Sequence, residues 1–150
     1  IFEKRRPRGD LPYHAGVLID APEGGILYDP TGFFEHDACR RHADVQYPMT
    51  DETVRAFLNR EGYGFAPETW RLHLFETEVP AEVASLARAM ALASPPALPM
   101  TCARTVSGFL SALPGFAEIR PSFVTARLLA ALRSRPDLRY TTRLAPARTA

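Results

Sequence analysis

The sequence predicts an α+β domain with strands in its first half and helices in its second. Three observations carry this. Two β-rich runs, YHAGVLID (13–20) and ILYDP (26–30), flank a five-residue turn, APEGG. A third run, TWRLHLFETEV (69–79), alternates Trp70, Leu72 and Leu74 against Arg71, His73 and Phe75, the period of a strand. Beyond residue 80 the apolar residues recur at helical spacing, with Pro and Gly between the runs.

Taken in order, residues 1–12 (IFEKRRPRGDLP) are charged and Pro-broken and read as a linker or entry arm. Residues 13–20 and 26–30 form a hairpin stopped by Pro30. Residues 31–49 show no clear period. Thr50 suits an N-cap, Asp51 and Glu52 complement the dipole of a first turn, and Val54, Phe57 and Leu58 give an amphipathic helix ended by Gly62. In the strand at 69–79, His73 falls on the face expected to meet solvent. Pro80 opens a helix to about Ala93, with Val83, Leu86, Ala87 and Met90 inward. SPPALPM (94–100) breaks the chain. A helix from Thr101 or Cys102 turns Val106, Phe109, Leu110 and Leu113 inward and ends at Pro114-Gly115. Pro121 opens a last helix that buries Val124, Leu128, Leu129 and Leu132, and 136–150 reads as a loosely held tail.

A chain of 150 residues that is 46% hydrophobic fits one domain, 1–150, with its own core. A net charge of +1 supplies no overall field toward nucleic acid. The charge is uneven: from Arg120 onward stand seven arginines and one acid, Asp137. That end reads as a solvated basic face, with contact to an anionic membrane surface as the alternative. One lysine against 17 arginines reads as genomic base composition. Two cysteines make no disulfide scaffold, and no apolar run reaches the 18 or more residues of a membrane span. A start at Ile1, without a signal peptide, leads us to expect a domain cut from a longer protein.

The chemistry centres on PMTCARTVSGFL (99–110), where Cys102 stands at a helix start. Free N–H groups and the positive dipole end lower a thiol's pKa there, and the thiolate is the nucleophile. Arg104 adds a nearby positive charge. A buried apolar filler is the competing reading of Cys102. A nucleophilic Cys needs a base, usually His. Of His14, His36, His42 and His73, His14 is preferred, because Gly16 two residues on leaves space beside its ring. The third group orients the imidazole. Asp29 qualifies because the hairpin returns it beside His14, and local sequence equally fits an Asx-type turn before Pro30. Tyr28 and His36 are the other candidates for that place. In EHDACRRHAD (35–44), His36, Cys39 and His42 raise a metal site, but i and i+6 do not share a helix face and no second cluster completes a tetrahedron, so no metal is expected. Cys39 ranks below Cys102 as a nucleophile. Phosphate-cradling, dinucleotide, zinc-protease and C-x-x-C motifs are absent, and no cofactor is expected.

Three blocks occur in order: HAGVLI, GGILYDPTGFF and TCARTVSGFLSALPGF. Together they resemble the circularly permuted papain-like cysteine hydrolases, in which a His-bearing strand precedes the Cys-bearing helix. More narrowly they resemble the C-terminal effector domains of bacterial polymorphic toxins of the type VI and Rhs kind. The resemblance implies a small antiparallel sheet packed on helices, a Cys nucleophile at Cys102, a His base at His14 and a third polar residue at or beside Asp29. Many relatives carry a second His there, where this chain reads Leu27-Tyr28-Asp29. Thr101 occupies the place of a polar residue, often Asn, before the Cys. The implied reaction is acyl transfer through a thioester, first on the amide of a peptidoglycan peptide or protein, alternatively on a lipid acyl group or as a deamidation. A non-catalytic binding module is the remaining alternative. The implied partners are an immunity protein and the parent toxin scaffold, and the implied location is outside the producing bacterium, secreted or injected into a target cell.

Overall fold

The computed structural model describes residues 1–4, 9–59 and 70–144. It is α+β, with two small antiparallel sheets and, among the described residues, four helices. The first sheet has the order β2-β1-β7-β8, from β1 (Phe2–Lys4), β2 (Leu11–His14), β7 (Trp70–Glu76) and β8 (Arg139–Leu144). The second has the order β3-β4-β6-β5, from β3 (Val17–Ile19), β4 (Ile26–Tyr28), β5 (Arg40–His42) and β6 (Val45–Tyr47). The helices are α1 (Asp51–Leu58), α2 (Ala81–Ala93), α3 (Cys102–Ser111) and α4 (Thr125–Arg133).

The expected strand at 13–20 is two strands. The chain leaves the first sheet after His14, where His14 pairs with Phe2, and enters the second at Val17, which pairs with Tyr28. The crossing at Ala15-Gly16 puts His14 on the seam between the sheets. The hairpin is real but begins at Val17.

Both expected loose ends are partly strand. In 1–12, Phe2–Lys4 is an inner strand between β2 and β7, anchored by the fully buried Phe2 ring against Phe57 and Trp70. Residues 5–8 lie outside the described residues. In 136–150, Arg139–Leu144 pairs with Arg71–Glu76 of β7, while 145–150 lie outside the described residues. Every residue of β8 is exposed, so the strand carries no hydrophobic alternation to reveal it. A second unforeseen hairpin, β5–β6, fills the patternless 31–49 stretch. Its outer strand, Arg40-Arg41-His42, is exposed throughout.

The helices stand near their expected places. Thr50 and Thr53 form a reciprocal capping box, with Asp51 and Glu52 in the first turn of α1; Gly62 lies outside the described residues. In α2 the buried face is Ala84, Ala87 and Ala91; of the expected inward residues Ala87 is buried, Val83 and Met90 are half-buried, and Leu86 is exposed. The last helix begins four residues later than Pro121, at Thr125. Val124 is its exposed N-cap instead of a core residue. Buried Ser107 ties the intervening loop to α3: it accepts from Ser122 N at 2.8 Å and donates to Ala103 O at 2.6 Å.

Two hydrophobic clusters result. One joins β3, β4, α2, α3 and α4 through residues such as Tyr28, Val106 and Leu128. The other gathers Phe2, Leu27, Phe34, Phe57 and Trp70. His73, expected to meet solvent, is buried, because Tyr140 and Arg133 close over its face of β7. Its Nδ1 meets the Tyr140 hydroxyl at 2.8 Å and its Nε2 lies 3.3 Å from Glu3. Burial, together with the charge of Arg133 and against the pull of Glu3, holds His73 below the usual imidazole pKa.

Candidate active site

Three elements converge at the seam. β2 delivers His14 at its last residue, β4 delivers Asp29 just past its end, and α3 delivers Cys102 as its first residue. His14 Nε2 lies 2.6 Å from Asp29 Oδ1, with both side chains buried. The imidazole and the Cys102 sulfur lie close enough to shift each other's titration, and the sulfur also meets Tyr13 O at 3.7 Å. With Nε2 held by Asp29, Nδ1 is the nitrogen left for the thiol. The Phe2 ring stacks beside the imidazole at 6.3 Å, fixing its plane.

The Asp29 carboxylate is fitted between glycines. Asp29-Pro30-Thr31-Gly32 is a turn closed by Gly32 N to Asp29 O at 2.9 Å, with Thr31 at φ 59. Pro at the second place and a positive φ at the third make it type II. A Cβ on Gly32 would lie 1.7 Å from Asp29 Oδ2, and one on Gly16 would lie 3.1 Å from Oδ1. Gly16 therefore makes room for the carboxylate, where the sequence suggested room for a substrate or a helix end. The expected Asx-type turn is not formed: the turn is closed by backbone, Thr31 N bonds Asp44 Oδ1, and the Asp29 carboxylate is given to His14 instead.

Helix α3 presents its positive end to the sulfur. Its N-cap, Thr101, makes no side-chain cap bond, and no acid stands in the first turn. Thr101 Oγ1 instead donates back to Leu98 O at 2.6 Å. The contrast is α1, whose N-terminus is filled by a capping box and two acids. The free end of α3 is left for Cys102. Burial pushes the Cys102 thiol up, but His14, by hydrogen bond and charge, and the N–H groups of Ala15 and Ala103 outweigh it, leaving the thiol below its ordinary value. Burial pulls His14 down, but Asp29 and the Cys102 sulfur more than reverse this and raise it to about 9. The two shifts, thiol down and imidazole up, both favour the thiolate–imidazolium form of the pair.

No family model, curated protein or solved structure matches this chain. The site is therefore read from its own geometry.

The other sequence candidates stand elsewhere. Arg104 is turned outward over the Phe123 ring at 5.6 Å and takes no part in lowering the thiol; the helix terminus and His14 supply that. Tyr28 packs on Phe109 at 5.1 Å in the helix-side core, and its burial raises its pKa. His36 caps a local turn by accepting from Ala38 N at 3.2 Å. Cys39 contacts Pro48 O and Met49, and burial raises its thiol, opposite to Cys102. Among the described residues no group of three His, Cys, Asp or Glu side chains is arranged to hold a metal ion.

One supporting residue escapes sequence reasoning: Asp44, buried in the β5–β6 turn. Its carbonyl accepts from Asp29 N at 2.8 Å. Oδ1 accepts from Thr31 N at 3.4 Å, and Oδ2 from Ala97 N at 2.6 Å. Asp44 thus clips the Asp29 turn to the Pro-rich 94–100 segment that aims α3. The Asp44→Ala protein should lose about 1 kcal/mol or somewhat more, since two half-buried N–H groups, of Thr31 and Ala97, lose their acceptor. Its melting temperature should fall by several degrees, and iodoacetamide should label Cys102 more slowly than in the parent. A variant that melts and reacts like the parent would remove the clip.

Proposed function

We propose that this chain is a cysteine acyl hydrolase that works through a thioester on Cys102. The observation that carries the reading is the buried chain of contacts Cys102–His14–Asp29 with the thiol lowered and the imidazole raised to about 9. The Cys102 thiolate attacks an acyl carbonyl and forms the S–C bond. The first N–H of α3, that of Cys102 itself, has no carbonyl partner within the helix and faces the developing oxyanion. His14 gives its proton to the leaving nitrogen or oxygen, then draws a proton from the water that hydrolyses the thioester. Asp29 holds the imidazole by Nε2 throughout.

The order of these parts, His strand first and Cys helix later, supports membership of the permuted papain-like hydrolases and a role as the effector domain of a bacterial polymorphic toxin. The cognate partner is then an immunity protein that covers the site. The geometry serves an amide or an ester carbonyl.

The pH profile tests the ion pair. Below about 9 His14 is charged in the folded protein, and as pH rises through that value the ion pair and the proton for the leaving group are lost. As pH falls through the lowered value of Cys102, the thiolate is lost. We expect a bell-shaped kcat/KM whose basic limb lies near pH 9, its limbs belonging to the pair jointly. We also expect iodoacetamide at pH 6.5 to alkylate Cys102 well before Cys39 in the folded protein. Equal labelling of the two cysteines, or labelling of Cys39 first, would sink the reading.

A further inference from the structure

Two turns of one kind flank the candidate site. In the first, Asp29-Pro30-Thr31-Gly32, the third residue stands at φ 59. Leu98-Pro99-Met100-Thr101 repeats it just before α3. Thr101 N donates to Leu98 O at 3.2 Å, Pro99 takes the second place, and Met100 takes the third at φ 63. The third place of a type II turn is left-handed and ordinarily holds glycine or asparagine. A Cβ there crowds the following carbonyl oxygen. Glycine would make the same turn into α3 without that strain, so the Met100 side chain stands there at a cost. Packing within the fold does not offset it. Met100 is 91% exposed, and Leu98, at the first place of the turn, is 73% exposed.

One carboxylate holds the two turns together. Asp44 accepts from Thr31 N through Oδ1 at 3.4 Å and from Ala97 N through Oδ2 at 2.6 Å. Phe33, 64% exposed, directly follows Gly32 of the first turn, and Leu98 directly follows Ala97. Large apolar side chains from both segments therefore stand on the surface in one neighbourhood, and Met100 is two residues from the nucleophile. Apolar residues scattered singly over a surface are ordinary. A group of them carried by a strained turn beside a reactive thiol marks a place where something binds.

We infer that Met100 is a specificity-determining residue: with Leu98 and Phe33 it receives an apolar side chain carried next to the carbonyl that Cys102 attacks. This rests on the hydrolase reading. The acyl part of a substrate is the part that stays bonded to Cys102. A residue two positions away remains beside it through both steps, whereas the leaving group departs after the first. Met suits the task, because its unbranched, polarisable thioether fits aliphatic and aromatic groups alike. The closed turn fixes where that side chain starts and leaves its end free to adapt.

The test measures kcat/KM at pH 7 for the p-nitrophenyl esters of N-acetylglycine, N-acetylleucine and N-acetylphenylalanine. The parent should prefer the leucine and phenylalanine esters to the glycine ester by at least about tenfold. Met100→Gly should bring that ratio within about twofold, and its melting temperature should match or exceed the parent's because the turn is relieved. Met100→Asn, also at home in that backbone, should lose the preference in the same way. Met100→Leu, which keeps an apolar side chain on the same backbone, should retain it. A parent that turns over the glycine ester through Cys102 and shows no preference would overturn the recognition role and leave the hydrolase standing. So would a preference that survives in Met100→Gly and Met100→Asn, or an equal slowing of all three esters. A parent that turns over none of the esters would overturn the hydrolase reading, and the recognition role with it.

Discussion

The Cys102→Ala protein is expected to fold like its parent and to lose catalysis by about 10⁴-fold or more, the cost of removing a nucleophile from a triad. The fold should survive because Cys102 contributes little packing. Its sulfur sits at a helix start between His14, the Tyr13 carbonyl at 3.7 Å and the N–H groups of Ala15 and Ala103. Truncation removes a small buried group at about 1 kcal/mol, a fall of about 2–4 °C in melting temperature for a chain of this size. Cys102→Ser tests the same point more narrowly. It keeps the volume, but a serine hydroxyl is far less acidic than a thiol, so the ion pair with His14 does not form. Both variants should also remove any growth inhibition the domain causes in a target bacterium. Circular dichroism and thermal melts check the fold, and ester hydrolysis checks the chemistry. Turnover by Cys102→Ala within tenfold of the parent would end the thioester mechanism.

The Asp29→Asn variant should cost about 10²–10⁴-fold in kcat/KM and should also change the shape of the pH profile. Asp29 is the principal group that raises His14, by hydrogen bond and by charge, against the lowering effect of burial. Without its charge the imidazole falls from about 9 toward its ordinary value. The basic limb of the bell should therefore move to lower pH, and the thiolate, having lost part of its charged partner, should form less readily at neutral pH. An amide also offers Nε2 either a carbonyl or an N–H, and the N–H would select the wrong tautomer. Only this second readout separates orientation from packing. A variant that merely loosened the turn would lose rate with the basic limb still near pH 9, and that outcome would count against Asp29 as the orienting group.

His14, Asp29 and Cys102 were legible in the sequence because each sits beside a local signal. Pro30 and Gly32 mark the turn after Asp29, and the Pro-rich 94–100 run marks the abrupt start of α3. The crossing between sheets was not legible. YHAGVLID keeps a strand-like composition through the very residues where the chain changes sheets. Gly16 was the available sign, since a glycine inside a strand often marks a close approach, here by the Asp29 carboxylate. Arg40–His42 and Arg139–Leu144 escaped for a different reason: both are exposed along their whole length, so their pairing leaves no pattern in residue type. His73 was misplaced because alternation assigns faces, not cover, and Tyr140 and Arg133 close over its face of β7. Asp44 works through three backbone partners from two distant segments, and no spacing in a single sequence encodes that.

The chain passes from one sheet to the other between His14 and Val17, so the three reacting groups belong to three separate pieces of the architecture. None of these pieces alone makes a reactive thiol. A chain with only one sheet formed, or one not yet folded, carries a cysteine of ordinary acidity. Reactivity arrives when the seam closes and the helix docks on it. The thiol's lowered pKa is thus a property of the assembled fold, gained as the chain folds.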